Sequence, residues 1–195
     1  SDHGAKRLDG GICINEWLIR EGYLKLKHKP DGIVPLEQIQ IDWARTVAWA
    51  EGGYYGRVFL NVKGREPLGV VLPSEYERVR DELIRKLEAL GDESGCPINT
   101  KAYRPEELYS KVQGIAPDLI VLFGDLYWRS VGSIGFDTVW VHENDTGPDD
   151  ANHAMHGICI MTGVKGLKGE LQGLRITDVA GMLLDLFELP HDLKT

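Results

Sequence analysis

The first residues of the chain, Ser1-Asp2-His3-Gly4, place a carboxylate beside an imidazole and follow them with a glycine. Carboxylate oxygen and imidazole nitrogen are typical ligands of a zinc-like divalent cation. Adjacent side chains on an extended strand point to opposite faces, so both can bind one ion only where the strand gives way to a loop, which Gly4 permits. Asp2 and His3 are therefore candidate metal ligands, and an N-terminal surface turn is the alternative.

A second group of histidines, His153 and His156, lies just before the apolar residues 157–161. We expect those residues to form a buried strand, because they make a continuous apolar run, and functional groups in α/β folds gather in loops at strand ends. The pair is a second candidate for metal binding, with a solvated loop histidine as the alternative. His142 and Glu143 end another predicted strand and could face the same cleft, although we favour a solvated role for them.

The apolar pattern predicts helices that alternate with buried strands. Helices are predicted over residues 14–22, 74–90, 105–109 and 177–187. Strands are predicted over residues 23–27, 46–50, 57–62, 118–123, 138–141 and 157–161. In the second helix, Ser74 and Glu77 stand at the spacing of a capping box, and Val79, Leu83 and Leu87 recur at helical intervals. Buried strands interspersed with helices indicate an α/β layered fold.

The composition is that of an ordinary globular protein: of 195 residues, 43% are hydrophobic and 27% charged, with a net charge of −8. That length fits one domain, or a core with a subordinate insertion. The acidity and the absence of a basic stripe argue against a nucleic-acid partner. No apolar run reaches the roughly 18 residues of a membrane helix, and no signal peptide opens the chain. Three widely spaced cysteines without a C-x-x-C pair favour a reducing, cytoplasmic setting.

Several segments occur in the order found in a known enzyme family. They are residues 1–4, 14–24, 56–66 and 116–119, the motif His153-x-x-x-Gly157-Ile158, and residues 176–180 and 186–190. On these segments the chain resembles the second half of alkaline-phosphatase-superfamily proteins. It is most similar to the type I phosphodiesterase/nucleotide pyrophosphatase-like group of phosphohydrolases and phosphomutases. The resemblance runs nearly from end to end of the chain, and the order of the segments makes it specific.

The resemblance implies a site with two divalent metal ions, zinc or manganese, on either side of a serine or threonine nucleophile. Asp2 and His3 would bind the metal that activates the nucleophile, and His153 would bind the second metal. His156 is the alternative to His153, or a residue that supports a ligand. Paired cations of this kind neutralise phosphate oxygens, lower the pKa of the nucleophile and stabilise the leaving group.

The same resemblance implies an α/β/α sandwich of alkaline-phosphatase type, in which residues 22–114 form a mixed α+β insertion or cap. The nucleophile would lie upstream of Ser1, so we expect no catalytic residue in this chain and no activity from it alone. The expected substrate is a small phosphodiester or phosphomonoester. A phosphomutase of the same superfamily and a non-catalytic module with the same fold are the alternatives. Because half of the sheet would be missing, we also expect a homo-oligomer formed through exposed strand edges.

Overall fold

A computed structural model describes residues 1–143, 150–162, 169–170 and 172–192 of the chain. The chain falls into two compact units. The larger unit is Ala5–Ala154, and the smaller unit combines Ser1–Gly4 with Met155–Thr195.

Nine strands and four α-helices are found among the described residues. The strands are β1 Gly4–Arg7, β2 Gly10–Cys13, β3 Ala48–Glu51, β4 Gly56–Leu60, β5 Lys101–Tyr103, β6 Leu119–Leu122, β7 Trp128–Val131, β8 Trp140–Val141 and β9 Ala151–Ala154. The helices are α1 Ile14–Arg20, α2 Tyr76–Glu88, α3 Pro105–Leu108 and α4 Asp178–Leu186. The predicted α/β class is confirmed at this level. None of the described helices is long and apolar enough to cross a membrane.

The four-stranded sheet of the larger unit has the order β3-β4-β6-β5, and every neighbouring pair in it is antiparallel. One face of this sheet is buried, because alternate residues of each strand are apolar and point to the same side. The residues on that face are Ala48, Ala50, Val58, Leu60, Leu119 and Val121, and all of them are fully buried. The apolar run at residues 118–123 thus forms β6, as predicted.

A three-stranded sheet, in the order β7-β2-β8, lies in the same unit. Strand β2 pairs in parallel with β7 and antiparallel with β8, and it runs directly into α1. Gly53 and Ser130 exchange backbone hydrogen bonds of 2.8 and 3.0 Å, which tie β7 to the chain just after β3. The remaining strands, β1 and β9, form a two-stranded sheet.

Asn15 is a buried polar residue that links α1 to its neighbours. Its Nδ2 donates to the carbonyl oxygens of Ala50 and Gly132 at 2.8 and 2.7 Å, and its Oδ1 accepts from the Ala50 N–H at 3.0 Å. The side chain is 0% exposed, yet both its oxygen and its nitrogen are paired, as buried amides require.

Helix α2 packs against the core through Val79, Leu83 and Leu87, the residues that the helical spacing predicts. The start of this helix differs from the prediction. Residues 73–75 form a 3-10 turn, the helix begins at Tyr76, and no side chain caps it.

The predicted capping box of Ser74 and Glu77 is therefore wrong. An N-cap residue must have a non-helical backbone, whereas Ser74 lies inside the turn that precedes α2. Pro73 begins that turn, because its fixed φ favours the first position of a helical segment.

Residues 23–27 do not form the predicted strand. Within them, Leu26 makes an isolated bridge with Ile41. The N–H groups of Tyr23 and Leu24 instead donate to the carbonyl oxygen of Leu18, at 2.8 and 3.1 Å, and so close the end of α1. The last carbonyl groups of a helix have no partner within it, so here they accept the hydrogen bonds that a strand would otherwise use.

The range 22–114, predicted to be an insertion, lies within the larger unit. Its strands β4 and β5 both pair with β6, which follows that range in the chain. The status of these residues as an insertion stays a prediction.

In the smaller unit, residues 157–161 do not form the predicted buried strand. Ile158 and Ile160 are 67% and 83% exposed, and no described strand lies beside them. An apolar run becomes a buried strand only where neighbouring strands flank it. Helix α4 forms as predicted, but Leu183 and Leu186, which its apolar pattern places inward, are exposed.

Candidate metal centre

Asp2 and His3 lie side by side in the smaller unit. The Nδ1 atom of His3 is 2.8 Å from the carbonyl oxygen of Gly4. A carbonyl oxygen can only accept, so Nδ1 donates in this contact, and in a neutral ring Nε2 is then the nitrogen that can bind a metal. That Nε2 lies 3.8 Å from Oδ2 of Asp2. A backbone carbonyl often fixes the tautomer of a metal-binding histidine in this way.

The distance between these two atoms suits a shared ion. Zinc ligands lie about 2.0–2.2 Å from the metal, so two of them are roughly 3.3–3.6 Å apart at a tetrahedral angle. The observed 3.8 Å is only slightly wider. Both side chains are also accessible, with exposed fractions of 74% for Asp2 and 42% for His3. The donor types and their spacing therefore fit a divalent cation.

His156 is held near the first residues of the chain by a close approach of two backbone segments. The amino group of Ser1 donates to the carbonyl oxygen of Ile158 at 2.6 Å, and the Ile158 N–H donates to Oγ of Ser1 at 2.9 Å. A Cβ atom on Gly157 would lie 2.5 Å from the Ser1 carbonyl oxygen and 3.1 Å from the backbone nitrogen of His3. A glycine directly after His156 is what allows this approach.

Asp2 and His156 line one cleft of about 860 Å³ within the smaller unit. Glu170 and Arg175 line the same cleft. A guanidinium group is a typical partner of phosphate oxygens, so Arg175 adds a group that could pair with an anionic substrate. Neither Glu170 nor Arg175 stands out in the sequence, because the glycines around them predict only a loop.

His153 lies in the larger unit, on β9. Its ring packs on Tyr54, with ring centroids 3.9 Å apart, and its backbone N–H donates to Oδ1 of Asn152 at 2.8 Å. Asn152 is buried, and its Nδ2 donates to the carbonyl oxygen of Leu126 at 2.8 Å. His153 stays a predicted ligand, and within the smaller unit His156 lines the same cleft as Asp2.

The remaining predicted residues, His142 and Glu143, lie at the surface of the larger unit. The ring nitrogens of His142 are each 3.4 Å from an acceptor, the carbonyl oxygen of Asp9 and the carboxylate of Glu93. His142 is 65% exposed and Glu143 is exposed as well, which fits the solvated role favoured from the sequence. Among the described residues, no three His, Cys, Asp or Glu side chains converge closely enough to hold one ion.

A buried carboxylate joins two segments on which the resemblance depends, residues 56–66 and 116–119. Asp118 is 3% exposed and accepts two hydrogen bonds from Arg65, at 2.8 and 2.7 Å. It also accepts from the Leu60 N–H at 2.6 Å and from the Tyr76 hydroxyl at 2.5 Å. All of this acceptor capacity is used within the protein, which indicates a structural rather than a catalytic carboxylate.

The same network shifts the pKa values of its members. Burial, together with the hydrogen bond to Asp118, raises the pKa of Tyr76 to about 12. The hydrogen bonds to Asp118 also raise the pKa of Arg65 above its ordinary value. The network therefore keeps a neutral tyrosine and a charged arginine throughout the physiological pH range.

No protein-family model, curated protein or solved structure matches this chain. Its resemblance to the alkaline-phosphatase superfamily thus stands on the sequence segments alone.

Proposed function

We propose that this chain is part of a metal-dependent phosphohydrolase that cleaves a phosphodiester or phosphomonoester. The observation that carries the proposal is the geometry of Asp2 and His3. Nδ1 of His3 lies 2.8 Å from the Gly4 carbonyl oxygen, and Nε2 of the same ring lies 3.8 Å from Oδ2 of Asp2. Zinc and manganese both accept such a nitrogen and oxygen pair. The ordered segments that resemble the alkaline-phosphatase superfamily support the same assignment.

For the late histidine of the site we favour His156 over His153. Two observations support this choice: His156 lines the same cleft as Asp2, and Gly157 brings its segment within hydrogen-bonding distance of Ser1. His153 instead packs on Tyr54. In this proposal His156 takes the role that the resemblance gives to the ligand of the second metal.

The bound ions would neutralise phosphate oxygens and lower the pKa of the attacking hydroxyl. The residues of this chain hold and orient the site. The Gly4 carbonyl fixes the imidazole of His3, Gly157 sets the approach of His156, and Arg175 pairs with phosphate oxygens in the cleft.

The finer fold belongs to the proposal as well. We propose part of an α/β/α sandwich of alkaline-phosphatase type, with residues 22–114 as its cap. The parallel pair of β2 and β7, with α1 directly after β2, supports this assignment. The resemblance assigns the attack on phosphorus to a serine or threonine nucleophile that precedes the Asp2-His3 motif in the family.

Turnover of nitrophenyl phosphate and bis(nitrophenyl) phosphate tests the proposal, in a protein that carries the nucleophile segment ahead of this chain. Asp2→Asn and His3→Gln should abolish turnover and lower the bound metal content. His142→Gln is the matched control, because His142 is exposed outside the cleft. Turnover that survives in Asp2→Asn with unchanged metal content would refute the assignment.

The products of the same assay separate the alternatives. Release of free phosphate or of one nitrophenol per diester indicates a hydrolase. An isomerised phosphate ester, tested with sugar phosphates, indicates a phosphomutase. Metal binding without either product indicates a non-catalytic module.

A further inference from the structure

A cavity of about 360 Å³ lies in the larger unit, against the side of α1 that carries Glu16 and Ile19. Ile19, Leu26 and Pro30 form its accessible apolar wall, whereas Leu24 and Ile134 are 0% and 1% exposed. Small-molecule sites are typically cavities of about 300–1,000 Å³ that are mostly apolar and contain a few fixed polar groups. This cavity is at the small end of that range.

Most charged groups at this cavity are already engaged. Oε1 of Glu16 accepts hydrogen bonds from the backbone N–H groups of Gly135 and Phe136, at 2.6 and 3.0 Å. Lys29 and Asp137 form an ion pair with a nitrogen–oxygen distance of 2.7 Å. Glu16 thus fixes the backbone at Gly135 and Phe136, and Lys29 and Asp137 compensate each other's charge.

Lys25 is the exception. It is half-buried at the cavity, and none of the carboxylates in the described part of the chain pairs with its ammonium group. Its backbone is fixed on both sides, since its N–H donates to Oγ1 of Thr46 at 3.1 Å and its carbonyl accepts from the Asp42 N–H at 2.8 Å. A half-buried cation beside an apolar wall gains from a counter-charge.

We propose that this cavity binds a small amphipathic anion. The anionic group, a carboxylate or a group of similar charge, pairs with Lys25. The apolar part of the ligand packs against Ile19, Leu26 and Pro30, the half-buried apolar residues of the lining. An anion is favoured over a cation because both acidic side chains at the cavity are engaged, by backbone N–H groups and by Lys29, whereas the ammonium of Lys25 has no partner in the described part of the chain.

A purely structural role for Lys25 is the competing explanation. Its Nζ lies 3.6 Å from the position of a Cβ on Gly22, just past the end of α1, where a cation offsets the helix dipole. That role predicts that loss of the charge lowers stability and leaves ligand affinity unchanged.

Titration of the 195-residue chain with phenylbutyrate and with the uncharged phenylbutanol, followed by amide chemical shifts, separates these explanations. We expect shifts centred on residues 24–26 and 134–136, and an affinity about tenfold higher for the carboxylate than for the alcohol. Lys25→Met should remove the preference for the carboxylate, and Lys25→Arg should keep it. Lys27→Met is the control, because Lys27 is exposed two residues along the same segment.

A substitution that fills the cavity with a larger side chain gives a second test, which does not depend on the folding of the Lys25 variants. Ile19→Trp should abolish binding of both compounds. Equal affinity for the acid and the alcohol, an equal loss in Lys27→Met, or a loss of stability alone in Lys25→Met would each overturn the proposal.

Discussion

The guanidinium of Arg65 donates two hydrogen bonds, of 2.8 and 2.7 Å, to the carboxylate of Asp118, which is 3% exposed. The two residues are 53 positions apart in the chain. Their pairing joins the segment after β4 to the start of β6. Segments that look like family motifs in the sequence therefore hold the fold together in the structure.

Asp118→Ala should destabilise the larger unit by about 3 kcal/mol, because the change leaves the Leu60 N–H and the Tyr76 hydroxyl without an acceptor. Asp81→Ala is the matched control. Asp81 is 60% exposed and pairs with Arg104, so its loss should cost less than about 1 kcal/mol. Urea unfolding measures both values. Equal losses of stability would show that the buried ion pair contributes no more than the exposed one.

Tyr76 should make the fold sensitive to alkali. Burial and the hydrogen bond to Asp118 raise its pKa from 10.0 to about 12, so the folded state holds the phenol proton more tightly than the unfolded chain does. This stabilisation is complete below pH 10 and is lost as the pH rises through about 12. With allowance for solvent screening, we expect a loss of roughly 1–2 kcal/mol across that window.

The measurement for this prediction is the free energy of unfolding against pH for the wild type and for Tyr76→Phe. In the variant, the free energy of unfolding should fall less steeply at alkaline pH. Part of the fall should remain, because the pKa of Tyr23 is also raised. Tyr109→Phe, at a site that is 57% exposed, should keep the full slope. An unchanged slope in Tyr76→Phe would contradict the prediction.

Asn15→Asp should be among the most damaging isosteric changes in the chain. It replaces the donor that bonds the carbonyls of Ala50 and Gly132 with an oxygen, and it buries a negative charge beside them. We expect a loss of about 3–5 kcal/mol. The exposed Asn99→Asp is the control and should change stability by less than about 0.5 kcal/mol. Thermal unfolding measures both changes. Similar unfolding midpoints for the two variants would contradict the prediction.

Gly52→Ala should disrupt the contact between β3 and β7. A Cβ at this position would lie 2.4 Å from the Gly132 nitrogen and 2.6 Å from the Ser130 carbonyl oxygen. Those are backbone atoms that cannot rotate away, so we expect a loss of about 3 kcal/mol. At Gly32 a Cβ meets no atom within 4 Å, and Gly32→Ala should be neutral or stabilising by about 0.4–1 kcal/mol. Denaturant midpoints that do not separate these variants would argue against the packing described.

Local sequence patterns predicted the elements whose side chains alternate or recur regularly. The spacing of Val79, Leu83 and Leu87 placed α2, and the apolar run at residues 118–123 placed β6. The run at residues 157–161 has the same local character but no flanking strands among the described residues, so its side chains stay exposed. Composition alone cannot distinguish these two environments.

The candidate site could be predicted only in part for a similar reason. Asp2 and His3 are adjacent, so their proximity is a local property. The choice between His153 and His156 depends on contacts across more than 150 positions, such as the bonds between Ser1 and Ile158. The one local signal for the second choice is the glycine directly after His156, which a close backbone approach requires.

Zinc titration of the 195-residue chain, by competition with a chromophoric chelator, measures whether His3 and His156 bind the metal. We expect His3→Ala and His156→Ala each to weaken zinc binding about tenfold or more, whereas His153→Ala leaves it unchanged. Weakened binding in His153→Ala with normal binding in His156→Ala, or the same affinity in all four proteins, would contradict the proposed metal centre.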